Sequence, residues 1–249
     1  NIDLIECLSF SEMPKLLHTK KAEVVIMAIE NTIAGAILPN YALIDANELT
    51  ICGEHHLPIH HNLMVLNGQK IEDINEVYSH PMALLQCHVF FKKYPHIKLV
   101  EDKDTADVAR RIQEGQLKGV GAIASTLAAE IYDLTILAPN IQTIKENSTR
   151  FFILTNSETK NSVSANKASI KFVTGHKEGS LAKVLTILAE HELNLSKIQS
   201  MPIIDKPWSY AFFADFIFKN YANYYNALSE IREKVEVLQI LGEYNKGKR

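Results

Sequence analysis

Up to about residue 155, short apolar runs alternate with longer stretches that have helical periodicity. The predicted helices cover Ser9–Leu17, Met82–Lys93, Thr105–Gln113 and Thr126–Tyr132. The predicted strands cover Val24–Ile29, Ile51–Leu66 (with polar interruptions), Val77–Tyr78, Lys98–Val100, Val120–Ala124 and Phe151–Leu154, and Ile2–Ile5 is also strand-like. This alternation favours an α/β architecture with a largely parallel sheet.

A change of pattern predicts a second domain. The segment 156–167 is polar, lacks periodicity and is typical of a linker between a first domain, 1–155, and a second, 168–249. The elements predicted beyond it are strand Ser169–Thr174, helix Ser180–His191, strands Leu195–Ile204 and Tyr210–Phe218, helix Tyr221–Lys234 and strand Val237–Gly242. This βαββαβ order is the ferredoxin-like motif.

Side-chain periodicity supports the second domain. One apolar stripe on its first helix comprises Leu181, Val184, Leu185 and Leu188, and one on its second comprises Tyr224, Leu228 and Ile231. In the strand between the helices, alternate residues Phe212, Ala214, Phe216 and Phe218 form one apolar face.

Charge and composition exclude several classes of function. The 249 residues include 26 Lys and Arg against 29 Asp and Glu, and no basic face stands out that could hold nucleic acid. No apolar run has the roughly 18 residues of a membrane span. The three scattered cysteines, Cys7, Cys52 and Cys87, favour reduced thiols in a cytoplasm over a disulfide or metal site.

A cluster of histidines raises the question of a metal. On an extended segment His56 and His60 share one face while His55 and His61 share the other, which disfavours a four-ligand site. We therefore expect no metal. No Gly-rich phosphate loop and no nucleophile elbow is present in the sequence either.

Polar residues that could bind a ligand or take part in a reaction lie where predicted strands end. Ser79-His80-Pro81, Asp104-Thr105 and Ser125-Thr126 each follow a strand and can cap a helix; together they form a set of N–H groups suited to a small anion. Gln86 lies among apolar residues, so its amide needs either a structural hydrogen bond or a ligand.

Spacing alone does not decide the roles of two further motifs. Asn31 and Thr32 end an apolar strand, where they form either a turn or part of a cleft. Thr149 and Arg150 precede another strand. In a continuous strand they face opposite sides, so both reach one ligand only from a turn; otherwise Arg150 is a structural ion-pair residue.

These motifs resemble the signature stretches of prephenate dehydratases, in the same order and at about the same spacing. They are Glu30-Asn31-Thr32-Ile33-Ala34-Gly35, Ser79-His80-Pro81 with Ala83 and Gln86-Cys87, and Asn147-Ser148-Thr149-Arg150-Phe151. Gly179-Ser180-Leu181 and Asn194-Leu195-Ser196-Lys197-Ile198 resemble the regulatory ACT domain that follows this enzyme.

The resemblance implies a two-lobed, periplasmic-binding-protein-like catalytic domain followed by a ferredoxin-like ACT domain. It implies decarboxylating dehydration of prephenate to phenylpyruvate in phenylalanine biosynthesis, without a cofactor or metal. By the same resemblance Thr149, Arg150 and Phe151 are the catalytic residues. The residues that it implies for substrate binding are Asn31, Thr32, Ser79, His80, Gln86 and Thr105, around a cleft between two lobes.

For the second domain, the resemblance implies feedback inhibition by phenylalanine and assembly into a homodimer or homotetramer. The residues that it implies for phenylalanine binding are Gly179, Leu181, Asn194, Leu195 and Ser200. Two departures weaken parts of this. The sequence opens at Asn1 without the strand and Gly-rich loop with which the family begins, and Gln199-Ser200-Met201-Pro202 replaces the Glu-Ser-Arg-Pro of many relatives. The alternative is a non-catalytic module that senses an aromatic acid.

Overall fold

The computed structural model describes residues 2–156, 164–175, 177–203, 206 and 208–248. The chain divides into two compact units, each assembled from separate stretches of sequence. The first comprises residues 1–31, 35–57 and 149–249, and the second comprises 32–34 and 58–148. None of the helices in the described ranges is long and apolar enough to span a bilayer.

The elements before residue 156 follow the predicted pattern closely. The helices are α1 (Met13–His18), α2 (Leu38–Ala46), α3 (Pro81–Phe91), α4 (Ala106–Glu114) and α5 (Thr126–Ile131), with 3₁₀ turns at Phe10–Glu12 and Ile71–Asp73. The strands are β1 (Val25–Asn31), β2 (Gly35–Ala36), β3 (Thr50–Pro58), β4 (Asn62–Val65), β5 (Glu76–Ser79), β6 (Lys98–Glu101), β7 (Val120–Ala124), β8 (Thr135–Ala138) and β9 (Ser148–Thr155). Of these, α2, β2 and β8 were not predicted.

The predicted strand Ile2–Ile5 is wrong. This segment has no regular structure, and Ile2 and Leu4 are each 89% exposed. A strand is stable where a neighbour pairs with its backbone groups, and no described strand pairs with this segment. The apolar residues alone therefore do not order it.

The prediction of a largely parallel sheet is also wrong, because both sheets before residue 156 include antiparallel pairs. In the second unit the order is β6-β5-β7-β4-β8. The crossovers through α3 and α4 make β5, β6 and β7 parallel, whereas β4 lies antiparallel between β7 and β8. In the first unit the order is β2-β1-β9-β3, and β1 is antiparallel to both β2 and β9.

The sheet of the second unit is covered by helices on both faces. Leu63 and Val65 of β4 pack in one apolar cluster with residues of α3, while Met64 packs in another with residues of α4 and α5. Such two-sided burial explains why β4 is a continuous apolar run and not an alternating one.

The last part of the chain forms a four-stranded antiparallel sheet with two helices, in βαββαβ order, as predicted. Its elements are β10 (Lys167–Val173), α6 (Ser180–Glu190), β11 (Asn194–Pro202), β12 (Tyr210–Ile217), α7 (Tyr221–Arg232) and β13 (Val237–Tyr244). The strand order is β11-β12-β10-β13. We call residues 167–244 the ferredoxin-like region. Residues 157–163 of the predicted linker lie outside the described residues.

Both faces of the ferredoxin-like sheet carry apolar side chains that are buried. Ala214 and Phe216 of β12 pack with the apolar stripes of α6 and α7, which confirms the predicted face. Ala211 and Phe213 point to the other face and share a core with Met27 of β1 and Phe152 of β9. The β2-β1-β9-β3 sheet, which we call the first sheet, and the ferredoxin-like region are therefore packed together inside the first unit.

Candidate active site

One group of candidate residues, in the first unit, is joined by a hydrogen bond between two neighbouring strands. Asn31 ends β1 and lies opposite Thr149 in the antiparallel pairing with β9. The Asn31 amide donates from Nδ2 to Thr149 Oγ1 at 3.2 Å. The Thr149 oxygen thereby accepts a hydrogen bond, which leaves the hydroxyl hydrogen of Thr149 available for an acceptor supplied by a ligand.

A β-bulge sets this pairing. The register runs from Ala28 opposite Phe151 to Glu30 opposite Arg150, so β1 has one more residue than β9 at this point. In an unbroken register Glu30, not Asn31, would lie opposite Thr149. The bulge therefore places a neutral amide donor, and not a carboxylate, against the threonine hydroxyl, which is a common use of bulges beside functional sites.

Arg150 lies within the continuous strand β9, not in a turn, and its side chain is buried with only 6% of the residue exposed. Its guanidinium contacts Glu54 Oε2 from Nε at 2.7 Å and Asp215 Oδ2 from Nη1 at 2.5 Å. Tyr244 Oη accepts from Nη2 at 3.2 Å, and the guanidinium lies 4.7 Å above the ring of Phe152. The geometry favours the ion-pair alternative for Arg150.

Charges around Arg150 are balanced by further buried groups. Lys167 Nζ donates to both carboxylate oxygens of Glu54, at 2.9 and 2.8 Å. Burial alone would raise the pKa of Glu54, but the charges of Arg150 and Lys167 lower it below its ordinary value. Burial alone would lower the pKa of Arg150, and the charge of Asp215 holds it above its ordinary value instead. Burial lowers the pKa of Lys167, against the effect of its hydrogen bond to Glu54, and raises the pKa of the Tyr244 phenol.

A separate group of candidate residues, in the second unit, centres on Gln86 of α3. Its Oε1 accepts from Asn147 Nδ2 at 2.8 Å and lies 2.8 Å from His61 Nε2. An amide oxygen only accepts, so His61 donates through Nε2. Both bonds fix the amide plane, and no described residue accepts from Gln86 Nε2. Both alternatives for Gln86 are therefore compatible. Its amide oxygen makes structural hydrogen bonds, and the two N–H donors of its amide nitrogen remain for a ligand.

His61 is buried, and burial lowers its pKa below the ordinary value of 6.5 even though the hydrogen bond to Gln86 acts in the opposite direction. The imidazole is therefore neutral at physiological pH. Sequence reasoning treated this histidine only as a possible metal ligand. Among the described residues, no group of three or more His, Cys, Asp or Glu side chains could hold a metal ion.

The other predicted residues of the second unit have mixed surroundings. Ser79 is fully buried at the end of β5, and its hydroxyl donates to the carbonyl of Ile123 at 2.8 Å. His80 is exposed and caps α3, accepting from the Met82 N–H at Nδ1. Thr32 Oγ1 accepts from the Ser148 N–H at 3.0 Å. Thr105 precedes α4 without a side-chain cap bond.

Helix capping accounts for two of the polar groups at strand exits. Ser125 Oγ accepts from the Ala128 N–H at 3.2 Å, and Asp104 Oδ1 accepts from the Asp107 N–H at 2.8 Å. Phe151, on the same side of β9 as Thr149, is half-buried.

A cavity of about 630 Å³ lies in the ferredoxin-like region, at the start of α6. Gly179 and Leu181 line it, together with Trp208, Tyr210 and Phe212. Gly179 has φ of +75°, a conformation that favours glycine at this turn into the helix. The other residues predicted for regulatory binding, Asn194, Leu195 and Ser200, lie on β11 and do not line this cavity.

Comparison with known proteins identifies the family. The family model for prephenate dehydratase matches residues 1–159, which is more than half of the chain. This chain belongs to the prephenate dehydratase family. The matched range includes Asn31, Ser79, Gln86 and Thr149, so the family match covers both groups of candidate residues.

Individual relatives agree with this membership. A bifunctional chorismate mutase/prephenate dehydratase from Aquifex aeolicus is 35% identical over 232 residues, which cover 92% of this chain and 63% of the relative. The chain thus spans less than two thirds of that relative's length.

Two solved structures share the fold. One, described as a quorum-quenching acylase of a novel type, is 28% identical with a TM-score of 0.85, covering 96% of this chain and 88% of that one. The other is a prephenate dehydratase from Arthrobacter aurescens in complex with L-phenylalanine; it is 24% identical with a TM-score of 0.85, covering 97% of this chain and 80% of that one.

Proposed function

We propose that this chain is a prephenate dehydratase, which converts prephenate to phenylpyruvate. The single observation that carries the proposal is the Asn31–Thr149 hydrogen bond, within a chain that belongs to the family. In the reaction, the bond between the ring and its carboxylate breaks and carbon dioxide leaves. The electron pair enters the ring as the carbon–oxygen bond to the ring hydroxyl breaks, and the departing hydroxide takes a proton to become water.

Thr149 is the group that donates a hydrogen bond to the departing hydroxyl. A threonine hydroxyl is a weak acid, so it acts by donating within a preorganised site and not by full transfer of a proton before the bond breaks. The donation from Asn31 fixes the Thr149 oxygen and polarises its O–H bond. Positioned donors of this kind contribute about 10²–10⁴-fold to a rate.

Gln86 and Ser79 bind the carboxylates of the substrate. The Gln86 amide is held by His61 and Asn147 so that its Nε2–H₂ group can donate to an anion. The Ser79 hydroxyl donates to the Ile123 carbonyl, so it serves the substrate as an acceptor or through a rotated O–H. Arg150 acts by positioning Thr149. The remaining site residues stay predictions; they are Thr32, His80, Thr105 and Phe151.

We further propose that the first part of the chain has a periplasmic-binding-protein-like fold and that the ferredoxin-like region is an ACT domain. The cavity lined by Gly179 and Leu181 binds phenylalanine, which inhibits turnover. Its aromatic wall of Trp208, Tyr210 and Phe212 suits an aromatic side chain, and L-phenylalanine is bound in the related structure from Arthrobacter aurescens. ACT domains commonly bind amino acids between paired copies, so we expect a homodimer or homotetramer.

The test is incubation of the protein with prephenate, followed by the absorbance of phenylpyruvate in alkali. The proposal expects formation of phenylpyruvate with release of one carbon dioxide per molecule. Binding of prephenate without any phenylpyruvate would refute it in favour of the sensor alternative.

A second candidate function is acylase activity, which the similarity to the quorum-quenching acylase structure favours. It is distinguished by incubating the same preparation with N-acyl substrates and measuring the released carboxylic acid. Release of acid without formation of phenylpyruvate from prephenate would make acylase the better assignment.

A further inference from the structure

Four charged side chains are buried between the first sheet and the ferredoxin-like region of the first unit. Glu54 lies on β3, Arg150 on β9, Lys167 on β10 and Asp215 on β12, and each is at most 7% exposed. They are joined by Ser169, which donates to Asp215 Oδ1 at 2.6 Å and lies 2.7 Å from Tyr244 Oη. We call these six residues the Arg150 cluster.

The charged side chains of the Arg150 cluster have a defined geometry because each charge is compensated by an opposite charge within the cluster. Its two cations and two carboxylates compensate each other at distances between 2.5 and 2.9 Å. Breaking such a buried pair leaves an uncompensated charge and is costly, so displacing one partner favours displacement of the other. A displacement of β12 or β10 is therefore passed to β9 through Arg150.

The position of the Arg150 cluster beside the candidate site is set by strand alternation. Arg150 precedes Phe151 and follows Thr149, so its side chain leaves β9 on the face opposite to the Thr149 hydroxyl. The partner strand repeats this arrangement: Glu30, next to Asn31, accepts from Lys197 Nζ of β11 at 3.0 Å. Each member of the Asn31–Thr149 hydrogen bond therefore has a chain neighbour held by the ferredoxin-like region.

The same strands lead from the Arg150 cluster to the cavity. Tyr210 and Phe212, which line the cavity, lie on β12 within five residues of Asp215. Thr174, which also lines it, follows directly after β10, the strand that carries Lys167 and Ser169. A ligand that changes the cavity wall thus acts on two strands that end at the cavity and carry members of the Arg150 cluster.

We propose that the Arg150 cluster couples occupation of the cavity to the position of Thr149, with Asp215 as the positioning residue that transmits the change through Arg150. This inference rests on the proposed function and specifies how the ferredoxin-like region regulates it. Asp215 does not line the cavity, and its side chain hydrogen-bonds to Arg150 and Ser169, so its effect on turnover is exerted through Arg150.

The experiment separates binding from coupling in the Asp215→Asn variant. Trp208, the single tryptophan of the chain, lines the cavity and is 80% exposed, so its fluorescence reports phenylalanine binding directly. Phenylpyruvate formation from prephenate, with and without phenylalanine, reports inhibition in the same preparation. We expect Asp215→Asn to bind phenylalanine with saturation, while inhibition falls from the about 5- to 150-fold typical of allosteric coupling to less than about twofold.

Asp45→Asn provides the matched control. Lys171 Nζ of β10 contacts Asp45 Oδ1 of α2 at 2.6 Å, so this pair also joins the ferredoxin-like region to the first sheet's helix but includes no member of the Arg150 cluster. We expect the Asp45→Asn variant to lose stability while keeping the inhibition of the wild type. Equal loss of inhibition in both variants would mean that any weakening of the contact suffices, and would refute a specific role for Asp215.

Failures of the two proposals are distinguishable. No phenylpyruvate from the wild type would refute the proposed function, and turnover that phenylalanine binding leaves unchanged would refute regulation and the coupling with it. Full inhibition of Asp215→Asn would refute the coupling alone. If Asp215→Asn does not fold, Tyr244→Phe removes only the hydroxyl that accepts from Arg150; it should weaken inhibition without abolishing fluorescence-detected binding, and unchanged inhibition in that variant would contradict the proposal.

Discussion

Replacing Asn31 by Asp tests the direction of the hydrogen bond to Thr149. In the wild type the Asn31 amide donates to Thr149 Oγ1 at 3.2 Å, and the threonine hydrogen points elsewhere. A carboxylate of the same shape can only accept, so the Thr149 hydroxyl will turn and donate to it. The hydroxyl then has no hydrogen for the departing group of the substrate.

The size of the effect follows from this reversal. Loss of a positioned donor costs about 10²–10⁴-fold in turnover. The new carboxylate also repels the dianionic substrate, by about 4 kcal/mol for unit charges 4 Å apart at an effective dielectric constant of about 20. Asn31→Ala removes the hydrogen bond donated to Thr149, worth about 0.5–1.5 kcal/mol, without adding a charge, and should lower turnover about two- to twelvefold.

The assay is steady-state formation of phenylpyruvate, with kcat and KM determined separately and folding checked by thermal unfolding. Asn47→Asp serves as a control, because Asn47 is half-buried and donates to the Leu43 carbonyl at the end of α2, far along the chain from β9. Its kcat should equal that of the wild type. Turnover by Asn31→Asp as high as that by Asn31→Ala would refute the proposed direction of the bond.

Three further predictions follow from the buried polar groups. Glu54→Gln removes one carboxylate from Arg150 and Lys167 and should lower the free energy of unfolding by about 3–5 kcal/mol in denaturant titrations; a loss below about 1 kcal/mol would contradict the cluster's charge balance. Because the pKa of Glu54 is lowered in the fold, its contribution to stability is complete above its ordinary pKa of 4.5 and is lost as pH falls below it, so the Glu54→Gln variant should show a flatter stability profile in acid. The pKa of His61 is also lowered, so its contribution is present above its ordinary pKa of 6.5 and is lost as pH falls below it; His61→Asn should reduce the loss of stability between about pH 7 and about pH 5.5.

Much of the fold follows from sequence periodicity. The stripes on α6 and α7 pack in the core as predicted, with Leu181 and Leu185 partly buried, because helices at the surface of a sheet bury one face. The parallel sheet was mispredicted, because periodicity reports which side chains are buried and not the direction of a strand. Strand β4 illustrates this: its apolar run fits a buried strand in either direction.

The candidate site was less accessible to sequence reasoning. The hydrogen bond from Asn31 to Thr149 spans 118 positions in the sequence and depends on a bulge that no local pattern indicates. The role of Arg150 was left between two alternatives, because its partner Asp215 lies in another part of the chain. One signal was available: Asp215 interrupts the apolar strand Tyr210–Ile217, and a buried carboxylate in such a strand requires a cation.

The role of the Thr149 hydroxyl is tested most directly by the rate of phenylpyruvate formation in Thr149→Ser and Thr149→Val. Serine keeps the hydroxyl, and valine keeps the shape and the preference for a strand without it. The account predicts that the serine variant stays within about tenfold of the wild type and that the valine variant loses about 10²–10⁴-fold while unfolding at a similar temperature. A valine variant within about threefold of the wild type would remove Thr149 from the reaction.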